Sequence, residues 1–307
     1  MPSLRSRIAR LVIKYKIINI GDDDRPLALR RLAMERAARL APMAPGVLIE
    51  PVMVGAVPGE WVTAPGAAAD RVVLYLHGGS YVQGSPRTHR VITSRIAMAS
   101  GARVLVLDYR LAPEHLFPAA VQDATAAYRW LLERDITPEH VAMAGDSAGG
   151  GLVIATAVAL REAGMPLPAA LVCISPWTDL EGTGESRVTR AKADPMFSPD
   201  GIAEAGRKYL GDADPRTPLA SPIYSDLRGL PPLLIQVGND EVLLSDATRL
   251  AERASAAGVA TTLEIWPDMW HVWHAFAGFV PEARRALREI GEWVSKHCAP
   301  SPAPSQG

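Results

Sequence analysis

The chain predicts an α/β fold built on one predominantly parallel sheet, and three observations carry that reading. Short apolar strands alternate with longer helical patterns from about residue 70 onward. Most of those strands are continuous apolar runs with no polar face, as in parallel strands covered on both sides. Prolines and glycines stand where helices begin and end.

Residues 1–45 read as helical before any strand. Leu4, Ile8, Leu11, Tyr15 and Ile18 repeat at helical spacing, which predicts an amphipathic helix with that stripe packed on the protein's own body. The rival reading is an interfacial helix meeting lipid or an apolar substrate, because Arg5, Arg7, Arg10, Lys14 and Lys16 give the first 20 residues five positive charges and no negative one. Lys14 and Lys16 interrupt any apolar stretch and no small-residue cleavage site follows, so a secretory signal is not expected. Val52–Pro65 reads as a hairpin adding antiparallel strands to one sheet edge. Strands are expected at Arg71–His77, Arg103–Asp108, Val141–Gly145, Ala170–Ser175, Leu233–Gly238 and Thr261–Trp266. Helices are expected at Pro118–Arg134, Ala148–Ala163, Ser245–Ala257 and Pro281–His297. Residues 181–222, rich in Gly, Pro, Asp and Thr with a short helix near Ile202–Leu210, form an insertion of the length that functional lids have. The tail, 299–307, has a disordered composition.

Composition narrows the function. With 32 Lys plus Arg against 33 Asp plus Glu, the net charge of −1 offers no basic footprint for nucleic acid. No run reaches the roughly 18 apolar residues a bilayer span requires, so no stable membrane insertion is expected. Two cysteines cannot form a disulfide framework; Cys173 lies in an apolar run as an inert thiol, and the chain fits a reducing, cytoplasmic compartment.

The chemistry begins at Gly145-Asp146-Ser147-Ala148-Gly149, which follows one strand and runs straight into a helix. In that context Gly-x-Ser-x-Gly marks a nucleophile on a sharp, strained turn above a helix N-terminus. A phosphate-binding turn is the alternative, but neither Gly-x-Gly-x-x-Gly nor Gly-Lys-Ser/Thr is present. A serine hydroxyl needs a base. Of seven histidines, His271 and His274 lie in the loop beyond the last strand, and His271, first after the strand, is preferred; His274 reads as structural. As metal ligands the pair lacks a third partner at ligand spacing. The acid is expected to be Asp240, just past Leu233–Gly238 at the same sheet edge. Glu241 is adjacent but expected to point elsewhere, and Asp246 is placed on the surface of the next helix. His77-Gly78-Gly79-Ser80 follows the first long strand, where bare N–H groups of Gly78 and Gly79, with that of Ala148, can face a developing oxyanion.

Four motifs stand together: His77–Gly84 (His-Gly-Gly-x-x-x-x-Gly), Asp108–His115 (Asp-Tyr-Arg-Leu-Ala-Pro-Glu-His), Gly145–Gly150 (Gly-Asp-Ser-Ala-Gly-Gly) and Ser175–Leu180 (Ser-Pro-Trp-x-Asp-Leu). Ala-Asp-Pro-Met at Ala193–Met196 joins them. The chain thereby resembles the bacterial hormone-sensitive-lipase-like carboxylesterases, a branch of the α/β-hydrolases, over roughly residues 45–297. The resemblance implies an eight-stranded sheet with helices on both faces and a helical cap. It implies the division 1–45 N-terminal cap segment, 46–180 core, 181–222 cap insertion, 223–298 core and 299–307 tail. It assigns Ser147 as nucleophile, His271 as base, Asp240 as acid, and Gly78, Gly79 and Ala148 as oxyanion donors. Family members usually carry a third glycine where this chain has Ser80, which bears on the donor pair. Arg110 and Glu114 are expected to pair and brace loops behind the site.

The expectation is therefore a serine carboxylesterase acting on small-molecule esters of short to medium acyl chain through an acyl-enzyme. It needs no cofactor and no metal, and the resemblance allows a homodimer through the last helix. A lipase for long-chain esters is one rival; a ligand-binding receptor on the same scaffold is another, countered by the complete catalytic set.

Overall fold

The computed structural model describes residues 2–16, 25–197 and 199–299. Ile18 and tail residues 300–307 lie outside the described residues, as does the Tyr15 side chain. In chain order the elements are α1 (Leu4–Lys16), α2 (Leu27–Ala38), β1 (Leu48–Val54), β2 (Val57–Thr63), β3 (Ala68–Leu76), α3 (Arg90–Ser100), β4 (Ala102–Leu107), α4 (Ala119–Leu132), β5 (Val141–Asp146) and α5 (Ala148–Glu162). They continue as β6 (Ala170–Ile174), α6 (Ser186–Thr189), α7 (Pro199–Leu210), β7 (Leu233–Gly238), α8 (Leu244–Ala256), β8 (Thr261–Trp266) and α9 (Pro281–His297).

The eight strands form one sheet in the order β1-β2-β4-β3-β5-β6-β7-β8. β1 and β2 make an antiparallel hairpin, β2 runs antiparallel to β4, and the rest are parallel. The apolar runs predicted the parallel part because each strand must be apolar on both faces. Val72, Leu74 and Leu76 of β3 enter a core under α4, α5 and α8, while Val73 and Tyr75 enter the opposite core with α3 and α9. From β3 the chain steps one way to β4 and then back past β3 to β5. That reversal opens a crevice at the carboxyl ends of β3 and β5, where open α/β sheets place their ligands.

Two elements depart from the sequence reading. α3 is not among the helices named from the sequence, although His89 reads as lying on a helix or its approach, and Arg90–Ser100 carries Val, Ile and Thr that lower helix propensity. Tertiary burial overrides this: Val91, Ile92, Ile96 and Ala97 are buried against β4 and α9, and Gly101 at φ +63° ends the helix in a left-handed cap. In α1 the helix is present but its faces are reversed. Ser6, Ala9 and Ile13 are buried, whereas Leu4 is 72% exposed, Ile8 43% and Leu11 56%. Ser6 and Ala9 are small, Ile13 enters the core, and polar bonds seat the helix. Glu282 of α9 accepts from the N–H and hydroxyl of Ser3, and Arg10 donates to Asp240 and to the carbonyl of Ala193.

Candidate active site

Ser147 stands between β5 and α5 with φ +54° and ψ −121°, a sparsely populated conformation for any side-chain-bearing residue. The surrounding structure enforces it. A Cβ on Gly149 would lie 1.9 Å from the carbonyl oxygen of Leu76, and one on Gly145 would lie 2.4 Å from that of Gly149. Only glycine lets strand and helix meet this closely. The N–H of Ser147 is tied to Ile174 and its carbonyl accepts from Gly151 and Trp177.

His271 lies in the loop after β8, buried, with Nε2 2.9 Å from Ser147 Oγ. The structure thus joins two residues 124 positions apart. Its Nδ1 meets Glu241 Oε2 at 2.7 Å. Burial alone pulls the imidazole pKa down. The hydrogen bond and charge of Glu241, helped by Asp194 and Asp146, outweigh this and move it above its ordinary value. The Phe197 ring packs edge-on against the imidazole at 4.7 Å.

The expected acid, Asp240, does not reach His271. Its carboxylate turns outward to Arg10 of α1, while the next side chain, Glu241, turns inward. The turn after β7 carries both residues, and the Asp240 N–H donates to the carbonyl of Met269 in the loop that bears His271. Glu241 is fully buried, and its second oxygen accepts from the Ser175 hydroxyl at 2.9 Å and from the N–H of Gly238. Three bonds on two oxygens fix the carboxylate before substrate arrives.

The loop after β3, read from the sequence as a source of oxyanion donors, also differs from expectation. The N–H of Gly78 is already engaged, donating to Asp146 Oδ1 at 3.0 Å. Among the described residues the N–H groups of Gly79 and Ser80 carry no hydrogen bond. Ala148, first in α5, has no intrahelical acceptor for its N–H. Gly79 adopts φ +121°, and a Cβ there would lie 2.0 Å from the carbonyl oxygen of Gln83. Ser80 at φ +58° holds a left-handed conformation that glycine adopts more readily.

Asp146, a motif residue with no role in the sequence reading, organises this loop from beneath. It accepts from Tyr75 Oη at 2.7 Å and Gly78 N–H, and its Oδ2 lies 3.3 Å from His89 Nε2. Burial opposes its charge, but His89 and these hydrogen bonds hold its carboxyl down at about 2. His77 is pushed the other way, to about 3, by burial and by the charge of His89, with Nδ1 directed at the Gly78 carbonyl.

Asp194, inside the Ala-Asp-Pro-Met motif, accepts from the N–H groups of Met196 and Phe197 and, at 3.0 Å, from that of Val242, one residue after Glu241. Burial raises its carboxyl to about 6. Asp246 is not on the surface as expected. It is fully buried, accepting from the N–H groups of Thr178 and Asp179, and burial raises it to about 6. His274 is buried with Nε2 on Gln236 Oε1 at 2.8 Å, apart from the His271 chain. Arg110 and Glu114 do not pair: Arg110 binds Asp123, and Glu114 receives the guanidinium of Arg31 from α2. Both still brace loops, since Arg31 also donates to the carbonyls of Val82 and Ala112.

A pocket enclosing about 110 Å³ of water-accessible space opens onto Ser147 and His271, walled by Met34 of α2, Ile92 of α3, and Met196 and Phe197 of the 181–222 segment. The carboxyl ends of β3, β5 and β7 and the loop after β8 thus bring together a hydroxyl, an imidazole, a carboxylate and free N–H donors. That arrangement can raise a nucleophile and stabilise an oxyanion.

Known proteins carry the same architecture. The profile of a family described by its alpha/beta hydrolase fold matches residues 73–275. An acetyl-hydrolase of Streptomyces hygroscopicus is 49% identical over 268 residues, 86% of this chain and 88% of that protein. The crystal structure of EstE5 soaked with p-nitrophenyl butyrate superposes with a TM-score of 0.92 at 47% identity, covering 97% of this chain and 100% of that one. The crystal structure of an esterase from the bacterial hormone-sensitive lipase family superposes with a TM-score of 0.93 at 49% identity, again covering 97% and 100%. The chain belongs to the α/β-hydrolase family and, within it, to the hormone-sensitive-lipase branch.

Proposed function

We propose that this carboxylic ester hydrolase works as a serine esterase on small esters of short acyl chain, with Ser147, His271 and Glu241 as its triad. The observation that carries the reading is the continuous chain of hydrogen-bond contacts from Ser147 Oγ through both ring nitrogens of His271 to Glu241, 2.9 and 2.7 Å long. Ser147 Oγ attacks the ester carbonyl as Nε2 takes its proton. Glu241 keeps Nδ1 protonated and stabilises the imidazolium. Negative charge on the carbonyl oxygen is met by the N–H groups of Gly79, Ser80 and Ala148. The imidazolium then protonates the leaving alcohol, and water activated by the same His271 resolves the acyl-enzyme.

The small volume of the pocket at Ser147, about 110 Å³ and lined by Met34, Ile92, Met196 and Phe197, supports short chains. Names of relatives point the same way: acetyl-hydrolase for one, and a soak with a butyrate ester for another. Two buried, unpaired thiols, Cys173 and Cys298, fit the reducing cytoplasm.

The test is a p-nitrophenyl ester series from acetate to palmitate with the native chain and Ser147→Ala. The native rate should peak at acetate or butyrate and fall beyond, and Ser147→Ala should lose it by about 10⁴-fold or more. Retained turnover in Ser147→Ala removes the serine mechanism. A rate that climbs with chain length, with a jump once the substrate aggregates, favours the lipase instead.

A further inference from the structure

We propose that α1 is a peripheral docking element that seats this protein on an anionic phospholipid surface. The starting observation is its inverted burial. Leu4, Ile8, Leu11 and Val12 face outward at 72%, 43%, 56% and 50% exposure, while Ser6, Ala9 and Ile13 face the body. At about 100° per residue, Leu11, Leu4, Ile8 and Val12 occupy one arc of about 100°. Arg7 and Lys14 flank that arc on one side and Arg5 flanks it on the other; all three are exposed. Apolar centre and basic borders are the pattern by which a helix lies in a bilayer interface, its large side chains among acyl chains and its cations among phosphates.

α1 itself contains no acidic residue. Glu282 is bonded to Ser3 and Asp240 to Arg10, and Asp268 lines the cleft beside Arg7 and Arg10. Arg5 lies over the ring of Phe279, 44% exposed, which extends the apolar patch onto the loop before α9. A second copy of the chain is a poorer occupant. A two-fold contact along so short a helix would bring the Arg5, Arg7 and Lys14 of each copy together, and four side chains fall short of the roughly 800 Å² per partner that a stable interface buries. Docking here also has a geometric consequence. The inner face of α1 bonds to Asp240 and to the carbonyl of Ala193, so the bilayer would lie beside the loops carrying Glu241 and Asp194.

The full chain is sedimented with sucrose-loaded vesicles of phosphatidylcholine alone or with about 30 mol% phosphatidylglycerol. Binding should be at least about tenfold greater on the anionic vesicles and should fall severalfold in about 0.5 M salt. The pairs Leu4→Ser with Leu11→Ser, and Arg5→Gln with Arg7→Gln, should each lose binding by about tenfold. Both should hydrolyse dissolved p-nitrophenyl acetate at the native rate, which reports intact folding. Binding needs no turnover, so it is read independently of the esterase assignment. No binding to anionic vesicles, equal binding to both vesicles at any salt, or variants that bind like the native chain would each overturn the proposal. A native dimer that Leu11→Ser dissolves in sedimentation velocity would overturn it in favour of a second copy.

Discussion

Asp240 and Glu241 are chain neighbours whose carboxylates face opposite ways: one is bound by Arg10 on the outer helix α1, the other by His271 beside Ser147. One peptide unit thus links the N-terminal segment to the candidate triad, and the two acids can be tested separately.

Glu241→Gln should lower kcat/KM for p-nitrophenyl acetate by about 10²–10⁴-fold, because the amide can hold the wrong tautomer of His271. Asp240→Asn should leave kcat within about threefold and cost at most about 1 kcal/mol of stability, since its partner Arg10 is partly exposed. The reverse pattern in steady-state kinetics would restore Asp240 as the acid.

The pH profile should follow from the same contact. His271 acts as base only when neutral, and its pKa lies above the ordinary 6.5, so the ascending limb of kcat/KM should have its midpoint above that value. In Glu241→Gln the main raising interactions are gone while burial remains, so the residual activity should rise at lower pH than in the native chain.

Ser80→Gly relieves a left-handed backbone at a side-chain-bearing residue and keeps the N–H in place. It should change kcat/KM by less than about threefold and stability by less than about 1 kcal/mol. Gly79→Ala should lower kcat by about 10²-fold or more, because its Cβ would push the loop off the Gln83 carbonyl and move the donor. Chemical denaturation and initial rates on the same preparations separate the two effects.

Asp246 offers a stability test. Its folded pKa of about 6 lies above the ordinary 3.8, so its contribution is fully present below 3.8 and is lost as pH rises through 6. Asn at this position carries no such dependence. Asp246→Asn should therefore gain on the native chain between pH 5 and pH 8, by about 1 kcal/mol in urea denaturation. A difference that stays constant over that range would refute the assigned shift.

Much of the fold was legible because burial on two faces leaves a local mark. β5, β7 and α9 fall at Val141–Asp146, Leu233–Gly238 and Pro281–His297 as their apolar runs and leading proline foretell. The position of Ser147 was legible for a similar reason: a strand-turn-helix needs small residues where its backbones touch, and Gly145 and Gly149 are those residues. What the chain by itself determined, then, is whatever short-range sterics and period express.

Tertiary structure decided the rest. Whether Asp240 or Glu241 meets His271 goes with distant partners that no local pattern encodes: Arg10 binds Asp240, and Ser175 holds Glu241 beside the imidazole. The N–H of Gly78 is taken by Asp146, 68 residues away. α1 turns Leu4, Ile8 and Leu11 outward while Ser6, Ala9 and Ile13 meet the body, seated by the bonds of Ser3 and Arg10. In each case the outcome is set by which distant group competes for a donor or a face, and that competition exists only once the chain is folded.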